Sequence, residues 1–124
     1  MNIVNTYRLS LGLNALIHDD NLRMIARAHS KHMALEPFWS HTNPEGDSPW
    51  DRMKKAGIIN AQAMENLAAG FYTPEQAFNG WMNSPGHKAN MEHPNITLAG
   101  QGYYYLEGAP YVRYWTMNGV SSYT

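Results

Sequence analysis

Apolar residues recur at helical spacing through the first two-thirds of the chain and at the alternating spacing of strands in the last third. Ile3, Val4, Tyr7 and Leu11 share one face of a short helix over residues 2–11. Asp19 or Asp20 caps a longer helix running to about Leu35, because a short carboxylate accepts from the free N–H groups of a first turn. Leu22, Ile25, Ala26, His29 and Met33 form its buried stripe. Pro37, Pro44 and Gly46 make residues 37–47 irregular. Ser48-Pro49 opens another short helix that Gly57 ends. Ala63–Ala68 reads as a short strand. Thr73-Pro74-Glu75-Gln76 is a capping box, and the helix after it buries Ala77, Phe78, Trp81 and Met82. Ser84-Pro85 starts a last short helix through Asn90. Leu98–Leu106 and Tyr111–Asn118, rich in Tyr, Trp, Val and Thr, flank the turn Glu107-Gly108-Ala109-Pro110 as a β-hairpin. Helices first and paired strands last predict helices packed on an antiparallel sheet.

Length and charge narrow the class. At 124 residues the chain suits one domain, spanning 1–124, with a core of its own. Nine basic and ten acidic residues give a net charge of −1, which excludes the basic surface that nucleic acid requires. No apolar run is long enough to span a bilayer. With no cysteine, a disulfide framework and a thiolate metal site are both excluded.

The histidines carry most of the candidate chemistry. His41 lies in Ser40-His41-Thr42-Asn43-Pro44-Glu45-Gly46, and His87 follows Ser84-Pro85-Gly86. Glu65 sits in the small and apolar stretch Ala63-Met64-Glu65-Asn66-Leu67-Ala68. A lone carboxylate there is costly to bury and needs a histidine, an arginine or a metal beside it. His41, His87 and Glu65 are a plausible shell for Zn²⁺ with a position open for water. With no compact metal motif along the chain, the residue types favour a hydrogen-bonded cluster that pins loops to the sheet. His29 and His32 lie three apart on the long helix, and His29, on the apolar stripe, reads as a core histidine with one hydrogen-bond partner. His18 and His93 read as loop residues. Ser48 and Ser84 fit helix caps, and no serine, Ser40 included, stands in a nucleophile motif. Gly100-Gln101-Gly102 lacks the setting of a phosphate loop, and Asn95-Ile96-Thr97 has the form of a glycosylation sequon. Tyr103, Tyr104, Tyr105, Tyr111, Tyr114 and Trp115 read mainly as sheet packing, with a ligand groove as the alternative.

Taken in order, several motifs resemble the CAP superfamily of cysteine-rich secretory, antigen 5 and pathogenesis-related class 1 proteins, and within it the SCP-like extracellular branch of bacteria. They are Leu22-x-x-x-Ala26-x-x-His29-Ser30-x-x-Met33, His41-Thr42-Asn43-Pro44-Glu45-Gly46, Glu65-Asn66-Leu67-Ala68, Trp81-Met82-Asn83-Ser84-Pro85-Gly86-His87, Gly100-x-Gly102 and Tyr114-Trp115-Thr116. The resemblance implies an α+β fold, a three-layer α-β-α sandwich with a small antiparallel sheet between helices. It implies secretion, and so a leader removed from this chain, which starts in helical pattern at Asn2-Ile3-Val4. It implies a central cavity in which His41, Glu65 and His87 match family positions that hold a divalent metal in some members. The second acid of the eukaryotic pattern is missing from Trp81-Met82-Asn83-Ser84, and Met117 stands where a glutamine is frequent.

Three functions follow as expectations. The first is a secreted module that binds a small apolar or lipid-like ligand, or an extracellular protein partner, near the His-Glu-His cavity. The second is a zinc-dependent hydrolase with Glu65 as candidate general base. The third is a purely structural extracellular domain.

Overall fold

The helix starts set the frame. In the computed structural model, which describes residues 1–59 and 61–122, Asp19 caps α2 (Asp20–Leu35) by accepting from the Leu22 N–H at 3.0 Å. Ser48 and Asp51 form a reciprocal capping box at the start of α3 (Pro49–Lys55). At α4 (Pro74–Met82) Thr73 accepts from the Gln76 N–H, but Gln76 Oε1 accepts from Tyr72 N rather than Thr73 N, so the expected box is opened by one residue. Ser84 precedes α5 (Pro85–Met91) without a side-chain cap bond, and Pro85 alone marks that start.

The first helix, α1 (Asn2–Ser10), buries Val4 and Arg8, whereas Leu11 is half exposed. Leu11 lies just past the helix end, and Arg8 fills the gap instead. Its guanidinium donates to the carbonyls of Asn14 at 2.8 Å, Met91 at 2.9 Å and His93 at 3.0 Å. Backbone acceptors hold this buried cation, stapling α1 to the turn that leads into the sheet.

Four strands form one sheet: β1 (Ile17–His18), β2 (Ala63–Ala69), β3 (Leu98–Tyr105) and β4 (Arg113–Val120), in the order β1-β3-β4-β2. The three longer strands pair antiparallel, as expected, and β1 adds a two-residue parallel edge against Leu98 and Ala99. The last strand starts at Arg113 and not at Tyr111, because Val112 has φ 68° and Arg113 N donates to Tyr111 O at 2.7 Å, a tight turn just ahead of the ladder.

Alternation along the strands sorts the core into two layers. Leu67 and Tyr114 pack with Met33 and Ala34 of α2, and Val120 packs with Leu22 of α2 and Met53 of α3. On the other face Met64, Ala68, Ala99 and Met117 pack with Val4 of α1, Ala77 and Trp81 of α4, and Met91 of α5. Helices therefore cover both faces, the α-β-α sandwich that the family resemblance implied. The close approach of α2 to β3 depends on Gly100 and Gly102. A Cβ there would stand 2.1 Å from Arg23 N and 2.0 Å from Arg27 N.

Candidate functional site

Glu65 projects from edge strand β2 on the α2 face, opposite Asn118 of β4. Its side chain is 2% exposed, and four hydrogen bonds meet the carboxylate. His41 Nδ1 (2.8 Å) and Arg52 Nη2 (3.0 Å) reach Oε1, while Arg52 Nη2 (2.8 Å) and Asn118 Nδ2 (2.9 Å) reach Oε2. Burial pushes the carboxyl pKa up, but the His41 hydrogen bond, the Arg52 charge and the Asn118 hydrogen bond outweigh it, and the net shift is downward. Glu65 is therefore an anion held in place by a buried cation from the last turn of α3.

The same arginine fixes the loop that carries His41, since Nη2 also donates to His41 O at 2.8 Å. His29 of α2 donates from Nε2 to Ser40 O at 2.9 Å. A carbonyl can only accept, so His29 carries its proton on Nε2, and its pKa falls to about 4, first from burial and next from the Arg52 charge. His29 is thus the core histidine with one partner that its place on the stripe predicted. A carboxylate likewise only accepts, so His41 donates from Nδ1 to Glu65, and its Nε2 lies outside that bond. Half of the His41 side chain is exposed.

His87 reaches this region from α5, on the other face of the sheet. Asn66 Nδ2 donates to His87 O, and Asn90 Nδ2 donates to Glu65 O and to Asn66 Oδ1, so α5 is sewn to the β2 edge. Burial and then the nearby His41 lower the His87 pKa. His41, Glu65 and Asn90 line a cavity of about 370 Å³ together with Trp50 and Ala63. His87 lines a neighbouring one of about 280 Å³ with Trp39, Leu67, Trp81 and Tyr111.

His41 and Glu65 are in direct contact, but the ligand atoms of His41, Glu65 and His87 do not converge on one point. Among the described residues, the three such side chains whose ligand atoms all lie within 4.8 Å of one another are His32, Glu36 and Glu45, a group that could hold a metal ion. At Glu65 both carboxylate oxygens already accept from N–H donors, Oε1 from His41 and Oε2 from Asn118, with Arg52 Nη2 shared between them. A zinc ion at the cavity would have two imidazoles and no free carboxylate, short of the three protein ligands such an ion takes in a reactive site. The donor set as folded does not fit that ion. Buried polar atoms around the cluster remain without a protein partner: Arg52 Nε and Nη1, His29 Nδ1 and Asn118 Oδ1.

Arg52, Asn118 and Asn90 are the site residues that sequence reasoning did not number. The cost of burying Glu65 called for an arginine or histidine, yet nothing along the chain chose Arg52 among the cations. His18, expected in a loop, ends strand β1 beside Ala99 and pairs with Asp20 at the surface, whereas His93 is the loop residue expected and serves its turn by accepting from Asn95 N.

The three-layer sandwich, with Glu65 on edge strand β2 and His41 on a loop beside it, has the fold of SCP-domain proteins. The structure is similar to an extracellular protein containing an SCP domain from Bacillus anthracis, with a TM-score of 0.82 and 28% identity over 96% of this chain and 38% of that one. An outer surface protein of Borrelia burgdorferi has the same fold, with a TM-score of 0.81 and 24% identity over 96% and 86% of the two chains. The chain belongs to the cysteine-rich secretory protein (CAP) family, whose model matches residues 1–118. It is 42% identical to the Bacillus subtilis protein YkwD over 101 residues, which are 82% of this chain and 39% of that protein. The chain thus spans well under half of that relative's length. No helix among the described residues is long and apolar enough to cross a membrane.

Proposed function

We propose that this domain is an extracellular binding module that takes a small apolar or lipid-like molecule with one polar end. The observation that carries this reading is the pairing of two adjoining cavities. The His41–Glu65 cavity shares Trp50 and Ala63 with a neighbouring apolar one of about 260 Å³ lined by Met53, Ile58, Ile59 and Val120. An apolar slot beside a few fixed polar groups is the usual form of a small-molecule site. The polar end would meet the exposed edge of His41, and the apolar part would lie along Trp50, a residue that is 58% exposed. The names of the Bacillus anthracis and Borrelia burgdorferi relatives place those proteins outside the cell or at its surface, which supports the same setting here.

The test is a titration of the purified domain with a long-chain fatty acid, alongside mass spectrometry of lipid extracted from natively purified protein. Saturable binding that weakens at least about tenfold in Trp50→Ala supports the reading, since truncating a central aromatic anchor costs 2 kcal/mol or more. Protein that carries no lipid and binds none of a lipid panel overturns it.

A second reading rests on the anchoring of His41 through Nδ1 to Glu65. An imidazole held through Nδ1 by a carboxylate presents Nε2 as a general base toward a water or substrate hydroxyl. Hydrolysis of an ester or peptide panel, abolished in His41→Gln with the fold intact, would favour this hydrolase over the binding module.

A further inference from the structure

His32, Glu36 and Glu45 take no part in the site described above, yet their ligand atoms lie within 4.8 Å of one another. His32 and Glu36 are one helical turn apart, with Glu36 as the C-cap of α2. Glu45 arrives from the loop that follows. Carboxylate oxygens from both glutamates close on one ring atom, His32 Nε2, with Glu36 Oε2 in short contact and Glu45 Oε1 at 3.1 Å. A ring nitrogen carries at most one proton and can satisfy only one of them. This Nε2 is shut off from solvent, and neither oxygen meets it in hydrogen-bond alignment. Three ligand atoms of two kinds thus converge, and one ring nitrogen cannot serve both carboxylates.

We propose that His32, Glu36 and Glu45 bind a divalent transition ion of the zinc type. One imidazole nitrogen and two carboxylate oxygens suit such an ion, whereas calcium and magnesium take oxygen donors alone. Ligands about 2.0–2.2 Å from a tetrahedral ion stand roughly 3.3–3.6 Å apart, so small side-chain movements close the set. With the imidazole neutral, as a ligand must be, the two carboxylates supply two negative charges. The carbonyls ending α2 add to the negative potential. The edge of Phe38 packs against the His32 ring at 5.0 Å and 85°, fixing its plane before any ion arrives. The turn that presents Glu45 is held by Asn43, whose Oδ1 accepts from Asp47 N and whose carbonyl accepts from Gly46 N. Both glutamates are more than half exposed, which leaves the fourth position open to water. The same loop carries His41 four residues before Glu45, so the ion would tie that loop to the end of α2.

The test is calorimetric titration of the metal-stripped domain with ZnCl₂, repeated on His32→Ala, Glu45→Gln and the double variant His41→Ala/His87→Ala. The proposal expects one equivalent bound by the wild type and by the double variant, with affinity reduced at least about tenfold in His32→Ala and in Glu45→Gln. Zn²⁺ should also raise the melting temperature of the wild type and not that of Glu45→Gln, an exposed loop substitution that leaves the core intact. Three results would overturn the proposal: no binding up to about 1 mM Zn²⁺, binding unchanged in His32→Ala and Glu45→Gln, or binding lost only in the double variant. Neither set of outcomes depends on whether the Trp50 slot takes a lipid.

Discussion

His41 Nδ1 lies 2.8 Å from Glu65 Oε1, across 24 residues of sequence. The contact joins an irregular loop to an edge strand, and Arg52 holds both ends, donating to the carboxylate and to the His41 carbonyl. Because Glu65 holds both the His41 ring and the Arg52 guanidinium, its loss reaches beyond the pair itself.

Glu65→Gln should lower stability by about 3 kcal/mol, because it leaves the largely buried Arg52 without its counter-charge. Denaturant midpoints at unchanged slope measure this. An Arg52→Met change in the Glu65→Gln background should cost much less than the same change in the wild type, a coupling that a double-mutant cycle reads directly.

Stability should fall as the solution is acidified from pH 6.5 toward 4. The unfolded chain protonates His29 near its ordinary 6.5, while the folded chain does so only near 4. Between those values the unfolded state binds more protons, so acid favours unfolding, and above 6.5 the term is flat. The full drop from this residue is roughly 3 kcal/mol. Glu65, also shifted down, adds to the loss below its ordinary 4.5. Urea midpoints followed across the window should give this slope, and His29→Gln, which keeps an N–H for Ser40 O, should flatten it.

Gly100→Ala and Gly102→Ala should each destabilise by more than about 3 kcal/mol, since the new methyl meets the backbone of α2 and not a movable side chain. Gly86→Ala is the control. Nothing lies within 4 Å of its added Cβ, and in α5 the change should be neutral or stabilising by up to about 1 kcal/mol. Thermal melts of the three variants separate the two cases, and equal melting of Gly102→Ala and Gly86→Ala would refute the close-packing account.

Arg8→Met should cost about 2–4 kcal/mol, because the carbonyls of Asn14, Met91 and His93 lose their donor in a buried gap. Arg8→Lys should lie nearer to methionine than to wild type, as one ammonium cannot span acceptors that a guanidinium fork reaches together. Melting temperatures of the two variants check both statements.

Helix starts, strand alternation and the turn between the last strands were legible in the chain because each depends on neighbours a few residues apart. Asp19, Ser48 and Pro74 act within their own first turns, and Glu65 announced its need of a partner through burial cost alone. The two-residue strand at Ile17 was not legible, since so short a segment has no period. Nor was the burial of Arg8, a charged residue satisfied by the nearby Asn14 carbonyl and by the distant carbonyls of Met91 and His93. Which cation would meet Glu65, that Asn118 would face it across the ladder, and that Glu45 would return to His32 were decided by the tertiary structure. These contacts span long loops, and their geometry exists only once α2, α3 and the sheet have packed. The sequence by itself determined the elements, the covered faces and the residues costly to bury. The folded chain alone decided how those residues pair, because pairing is set by distances that no local pattern encodes.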